Sequence, residues 1–298
     1  MIGKKYHRHC AMDKARAFEL LMQWAESVQK LTESDGQPAP WIRHYRASGD
    51  TESFYPLVYE TAAKGRTDIL DLIETLGYRF RRMSPVVMEA ARHGHINVLQ
   101  WFIYRYGEPR YVYSILMASA QTGRANVLDL ALESKPVDRH KLLYSYIPRM
   151  IIIACTYGRL DFLKLLYSRY AAPFIVDKMA GNMAAANGHT HILQWLSDIG
   201  KLNYSNCAVD YAAYNGHLHT LRWFNASGHQ FKYVQAINNA ITQGHLHILK
   251  WFRTSRYKFR YVCNRIRWSA VDPAVKNWMI EHGIPLRTGV RHHRGYIS

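Results

Sequence analysis

The chain has 298 residues, 48% of them apolar, and its 39 Lys and Arg against 22 Asp and Glu give a formal charge of +17. That composition is too apolar for a disordered chain, and its longest greasy stretch, near Met150–Cys155, falls far short of the ~20 residues that span a bilayer. Four isolated cysteines (Cys10, Cys155, Cys207 and Cys263) suggest neither a zinc ribbon nor a disulfide framework, and fit a reducing, intracellular setting.

In chain order, the basic start Met1-Ile-Gly-Lys-Lys-Tyr-His-Arg-His9 has no apolar run behind it, so no secretory leader is expected. Ala15–Val28 reads as an amphipathic helix that closes one end of the fold. Thr32–Thr51, with its Asp-Gly, Pro-Ala-Pro and Ser-Gly-Asp, reads as a connector. From about residue 54 the chain repeats itself. Ala90–Phe102 (AARHGHINVLQWF) returns as Ala185–Leu196 (AANGHTHILQWL), Tyr214–Phe224 (YNGHLHTLRWF) and Thr242–Phe252 (TQGHLHILKWF). Weaker copies lie at Lys64–Ile73, Thr122–Ala131 and Tyr157–Leu166. The anchors are Gly65, Gly94, Gly123, Gly158, Gly188, Gly216 and Gly244, at intervals of 29, 29, 35, 30, 28 and 28 residues.

Before each glycine lie about nine residues with small side chains at fixed places, such as Ala90 and Ala91 or Ala212 and Ala213. After it, apolar residues fall four, five, seven and eight positions on, as in Val98, Leu99, Trp101 and Phe102. That spacing is one face of a helix, and a glycine between two such segments suits a left-handed turn. Each unit is therefore predicted as two antiparallel helices, with Pro56 and Pro85 near first-helix starts. The long interval before Gly158 contains Ser134-Lys-Pro-Val-Asp-Arg and is expected to hold an extended loop. Near the C-terminus, Trp278–Gly283 aligns with Trp195–Gly200, and Asp272-Pro273 can cap and start the second helix of an eighth, glycine-less unit. The predicted organisation is an N-terminal cap and connector (1–50), a repeat array (51–260), and a degenerate repeat with a basic tail (261–298), all in one elongated all-α body.

These residues resemble the ankyrin repeat, whose heart is Ala-Ala-x-x-Gly-His-x-x-Val-Val-x-x-Leu-Leu. Ala90, Ala91, Gly94, His95, Val98 and Leu99 match it position by position, and the match covers roughly residues 54–283. The period is shorter than the family's 33, and the Thr-Pro-Leu-His opening is missing. The resemblance therefore implies an ankyrin-type solenoid of about seven clear repeats, with capping units and shortened fingers. Trp at offset seven and the Gly-His-Leu-His wording look like the divergent ankyrin arrays of large DNA viruses of amoebae, and of oomycetes.

Trp195, Trp223 and Trp251, 28 residues apart, are expected to stack as core. The histidines directly after glycine (His95, His189, His217, His245) are expected to bond back to the preceding turn. His191, His219 and His247 form an equivalent set across repeats, read as ordinary surface histidines and not as a metal site. Charge is graded: residues 1–60 are neutral, whereas 250–298 carry 11 basic and 2 acidic groups. No phosphate loop, Gly-x-Ser-x-Gly, His-Glu-x-x-His or kinase signature occurs, so neither enzyme activity, cofactor, metal nor small-molecule substrate is expected.

Stacked repeats make a long, slightly curved binding surface, and the expected function is a non-catalytic scaffold for a protein partner. The viral resemblance makes that partner a host protein, met in the host cytoplasm or nucleus; no membrane role is expected. Specificity is expected five residues before each glycine, at Glu60, Glu89, Ala118, Ile153, Met183, Tyr211 and Asn239, with Glu60, Glu89, Tyr211 and Asn239 as the partner-binding set. A second reading is a nucleic-acid or polyanion-binding module. It would use Arg253, Arg256, Lys258, Arg260, Arg265 and Arg267, which are interleaved with aromatics.

Overall fold

Gly188 shows how each repeat turns. Its φ of +75° lies in the left-handed region, and the chain then closes the first helix onto its own carbonyls. The Gly188 N–H donates to the Ala185 carbonyl at 3.1 Å and the His189 N–H to the Ala184 carbonyl at 2.8 Å. This is the glycine-capped end that an αL residue permits. Gly94 does the same at φ +79°, with His95 N–H donating to Ala90 at 2.9 Å.

The computed structural model describes residues 13–27, 37–49, 51–80, 83–106, 109–133, 140, 142–171, 174–229, 231–255, 257, 259–262 and 266–286. Among these the regular structure is helical, with 17 α-helices and no β-strand. No described helix is long and apolar enough to cross a membrane. The residues fall into two compact units, one made of 1–119 and 124–137, the other of 120–123 and 138–298.

The first unit opens with α1 (Lys14–Ser27), whose Ala17, Leu21, Trp24 and Ala25 are buried. The stretch read as a connector contains a helix, α2 (Pro40–Ser48). Pro40 sits at its first positions, where a missing N–H is harmless, and Trp41 and Ile42 are buried. Helix pairs follow: α3 (Tyr55–Ala63) with α4 (Thr67–Thr75), then α5 (Ser84–His93) with α6 (Ile96–Tyr106), then α7 (Pro109–Thr122) and α8 (Ala125–Glu133). Pro56 and Pro85 stand in the first turns of α3 and α5. Helix α3 packs on α4 and α5, α4 on α6, and α1 on α4.

In the second unit a short π-helical turn (Leu142–Tyr146) leads into α9 (Ile147–Thr156) and α10 (Leu160–Arg169). Then come α11 (Lys178–Ala186) with α12 (Thr190–Asp198), α13 (Cys207–Tyr214) with α14 (Leu218–Ala226), and α15 (Val234–Thr242) with α16 (Leu246–Thr254). The last helix, α17 (Pro273–Glu281), starts at Pro273, and the Asp272 carboxylate caps it by accepting the Ala274 N–H at 2.7 Å. First helices stack in sequence order, α9 on α11, α11 on α13, and α13 on α15. The small side chains foreseen for close approach line these contacts: Ala184, Ala185, Ala212, Ala213 and Ala240 are all buried. Within each unit, packing between sequence neighbours is the pattern of a helical repeat. The extended loop expected at 134–139 and the tail beyond residue 286 lie outside the described residues.

Candidate interaction surface

Two side-chain ladders fix each repeat on the one before it. The residue directly after each anchoring glycine bonds to the carbonyl two residues before the previous glycine. His95 Nε2 donates to Ala63 O at 2.7 Å, His189 to Thr156 O at 3.1 Å, and His245 to Tyr214 O at 2.8 Å. His217 pairs with the Ala186 carbonyl. Arginine plays the part twice, Arg124 Nε donating to Arg92 O at 3.2 Å and Arg159 Nε to Gln121 O at 2.8 Å. Each bond satisfies a carbonyl left open at a first-helix end. The second ladder starts three residues after the glycine and ends on the previous glycine's own carbonyl. Asn97 donates to Gly65 O at 2.7 Å, His219 to Gly188 O at 2.8 Å, and His247 to Gly216 O at 3.0 Å.

The histidines after glycine thus reach back one whole repeat, and not merely to their own turn. They also explain why the anchors are glycine beyond their φ angle. A Cβ on Gly188 would lie 2.9 Å from His217 Nδ1, and one on Gly94 would lie 2.8 Å from Arg124 Nη1. The inter-repeat Gly200, also at positive φ, has open space at that position. Because each ladder nitrogen faces a carbonyl, it carries a proton, and the ring's Nδ1 is the basic site. Burial and the nearby His191, Arg159 and His219 hold His189 below the ordinary histidine range; burial and His219 do the same for His217. Among the described residues no group of three or more His, Cys, Asp or Glu is placed to hold a metal ion.

The tryptophans at offset seven divide by unit. Trp101 is 1% exposed. Its indole N–H donates to Asp71 at 2.8 Å, and Arg105 stacks over the ring at 5.0 Å while pairing with Asp71 and Glu74. Trp195, Trp223 and Trp251 are only half-buried. Loop and helix rings cover one side of each: Tyr167 and Phe174 on Trp195, His229 on Trp223, Tyr257 on Trp251. The periodicity placed them in the core; the structure places them at its margin.

The predicted partner-binding residues also divide. In the first unit, Glu60 pairs with Lys64 at 3.4 Å. Glu89 accepts from Arg92 at 3.1 Å and from His93 at 3.2 Å. Burial pushes the Glu89 carboxyl up, but hydrogen bonds from Tyr59, Arg92 and His93 outweigh it and hold the group below its usual range. Ala118 is buried. In the second unit the same position carries Ile153 and Met183, both half-buried, the exposed Tyr211, and Asn239. Asn239 Nδ2 donates to the Asp210 carbonyl at 2.8 Å, linking α15 to α13.

Positions nine, five and two before the glycine share one side of a helix. In the second unit that side exposes Met179 (50%), Tyr211 (46%) and Tyr214 (47%), beside Cys207, Ile153 and Met183, with Arg149 exposed at the same offset on α9. Reading only the fifth position missed Met179 and Tyr214, which the same i, i+3, i+4 periodicity could have found.

Six residues before the glycine, polar side chains hold the following loop. Asn182 Nδ2 donates to Ser205 Oγ and its Oδ1 accepts the Ser205 N–H, both at 2.9 Å. Asn238 Oδ1 accepts the Val262 N–H at 2.9 Å. Between them in register stands Asp210, whose Oδ1 is buried without a hydrogen-bond partner; burial raises its carboxyl to about 6. Of the predicted polyanion set, Arg253 and Arg267 are exposed and Arg260 is half-buried. Arg256, Lys258 and Arg265 lie outside the described residues.

No family model matches the chain, and none of the curated proteins does.

Proposed function

We propose that the chain is a non-catalytic, divergent ankyrin-type scaffold that binds a protein partner on the first-helix side of its second unit. The observation that carries this reading is the uncharged surface on α11 and α13, where Met179, Tyr211 and Tyr214 are each about half exposed. Large apolar side chains grouped on one exposed face mark interaction surfaces, and tyrosine and methionine are enriched at interface cores. Under the ankyrin resemblance this side is the concave one, and under the viral resemblance the partner is a host protein. Glu60 and Glu89 are consumed by pairs within the fold, so Tyr211 becomes the leading contact of the predicted set, joined by Met179 and Tyr214.

Affinity capture from host extract, with mass spectrometry, tests the proposal. A specific protein should be retained after nuclease treatment and lost when Met179, Tyr211 and Tyr214 are all changed to serine. A confirmed partner that stays bound to this variant would place the contact elsewhere.

A further inference from the structure

The second unit also carries charge away from the face just described. Residues 138–298 hold 21 Lys and Arg against 7 Asp and Glu, +14 of the chain's +17. On α14 and α16 the same offsets after glycine repeat one trio: His219, Arg222 and Trp223, then His247, Lys250 and Trp251. Offsets three, six and seven fall on one side of a helix, and Arg253 follows one turn beyond Lys250. Neither helix contains an acidic residue. Arg222, Lys250 and Arg253 are exposed and have no ion-pair partner among the described residues.

The rest of the trio is oriented. His219 and His247 are pinned through Nε2 to the Gly188 and Gly216 carbonyls. Where the sixth position offers an acceptor, the next repeat's indole uses it, Trp101 on Asp71 and Trp223 on Gln194 at 2.7 Å. For Trp251 the residue at that register is Arg222, a donor only. Its half-exposed indole therefore has no acceptor at that register.

The geometry points to the outer side of α14 and α16 as a binding strip for single-stranded nucleic acid, with Arg222, Lys250 and Arg253 on phosphates and Trp223 and Trp251 against bases. Half-exposed rings interleaved with unpaired cations are what an unpaired strand uses: the cations replace its counterions, and every base has a π-face to stack. An acidic peptide would satisfy the cations and leave the indoles without a counterpart. A duplex hides its base faces. The strip is separate from the protein-binding face, so the two proposals can fail independently.

Fluorescence anisotropy of a labelled oligo-dT strand against the full chain, over a salt series, is the test. Changing Arg222, Lys250 and Arg253 to serine should weaken binding about tenfold or more at low salt and flatten the log–log salt slope by about two. Trp251→Ala should weaken it roughly fivefold or more. Lys14→Ser with Arg46→Ser, exposed in the first unit, and the Met179, Tyr211 and Tyr214 serine variant should leave it unchanged. Absence of binding by the unaltered chain at low salt would overturn the proposal, as would an unchanged affinity and slope in the triple cation variant. Equal binding of duplex, with displacement of the strand by polyglutamate at the same charge concentration, would assign the strip to acidic peptides instead.

Discussion

In two repeats of the first unit the residue five before the glycine is a carboxylate closed off by side chains one turn later, Glu60 by Lys64 and Glu89 by Arg92 and His93. In the second unit the same register carries Ile153, Met183, Tyr211 and Asn239, and at the offsets they share a side with, nine and two before the glycine, the one charged residue is the exposed Arg149. The more basic unit still has the less charged first-helix face, with Lys164, Arg169, Arg222, Lys250 and Arg253 on its second helices. A helical repeat permits this because its two helices turn different sides to solvent while a common set of turns and ladders holds the stack. Scaffold and surface are specified by different offsets from the same glycine, so they vary independently.

The largest expected difference between the units lies at offset seven. Trp101→Ala removes a fully buried ring and its hydrogen bond to Asp71, and should cost about 3–5 kcal/mol. Trp223→Ala, at a half-buried site, should cost about half as much; chemical denaturation measures both. Equal costs would abolish the distinction between core and marginal tryptophans.

Next come the ladders, which both units share. Gly188→Ala meets the αL penalty and the His217 ring together and should cost about 2–3 kcal/mol. Gly200→Ala meets only the first and should cost about 1 kcal/mol. If thermal melts show the two alike, cross-repeat contact is not what selects glycine at the anchors.

A smaller effect separates acid behaviour. His189 and His217 have folded pKa values below the unfolded value, so between the two the unfolded chain binds more protons. Their contribution is complete above about pH 6.5 and is lost as pH falls beneath it. Asp210 has the opposite sign. Its carboxyl is raised to about 6 in the fold, so its contribution is present below about pH 4 and turns unfavourable as pH rises through 6. Asp210→Asn, matching Asn182 and Asn238, should stabilise by about 1–2 kcal/mol at pH 7, discounted for the part of the carboxyl still in water. The gain should vanish near pH 4. A variant no more stable at pH 7 than at pH 4 contradicts the burial of that carboxyl. Smallest of all, Lys64→Ala removes an exposed pair and should cost about 0.2–1 kcal/mol in the same melts.

The glycine spacing made the helix pairs legible, since left-handed backbone and close approach both demand the same residue. Helix α2 was not legible. Its Pro and flanking Gly and Ser are turn signals, and only burial of Trp41 and Ile42 against the rest of the fold makes it a helix. Offset periodicity located Trp195, Trp223 and Trp251 on the inward side but not their depth, which depends on how far the loop rings reach over them. The recurrence of His after Gly was plain, while its acceptor, some thirty residues earlier, is a property of the stack and not of the segment. Glu89 and Tyr211 look equivalent by register; their difference comes from Tyr59, Arg92 and His93, which reach Glu89 only in the folded chain.

The central claim is that the first-helix side of the second unit binds a partner and that of the first unit does not. Titration calorimetry of the captured partner against two variants compares them directly: Tyr211→Ser with Tyr214→Ser, and Glu60→Gln with Glu89→Gln. The tyrosine pair should lose about tenfold or more in affinity, and the glutamate pair should bind as the unaltered chain does. Loss confined to the glutamate pair would contradict the account.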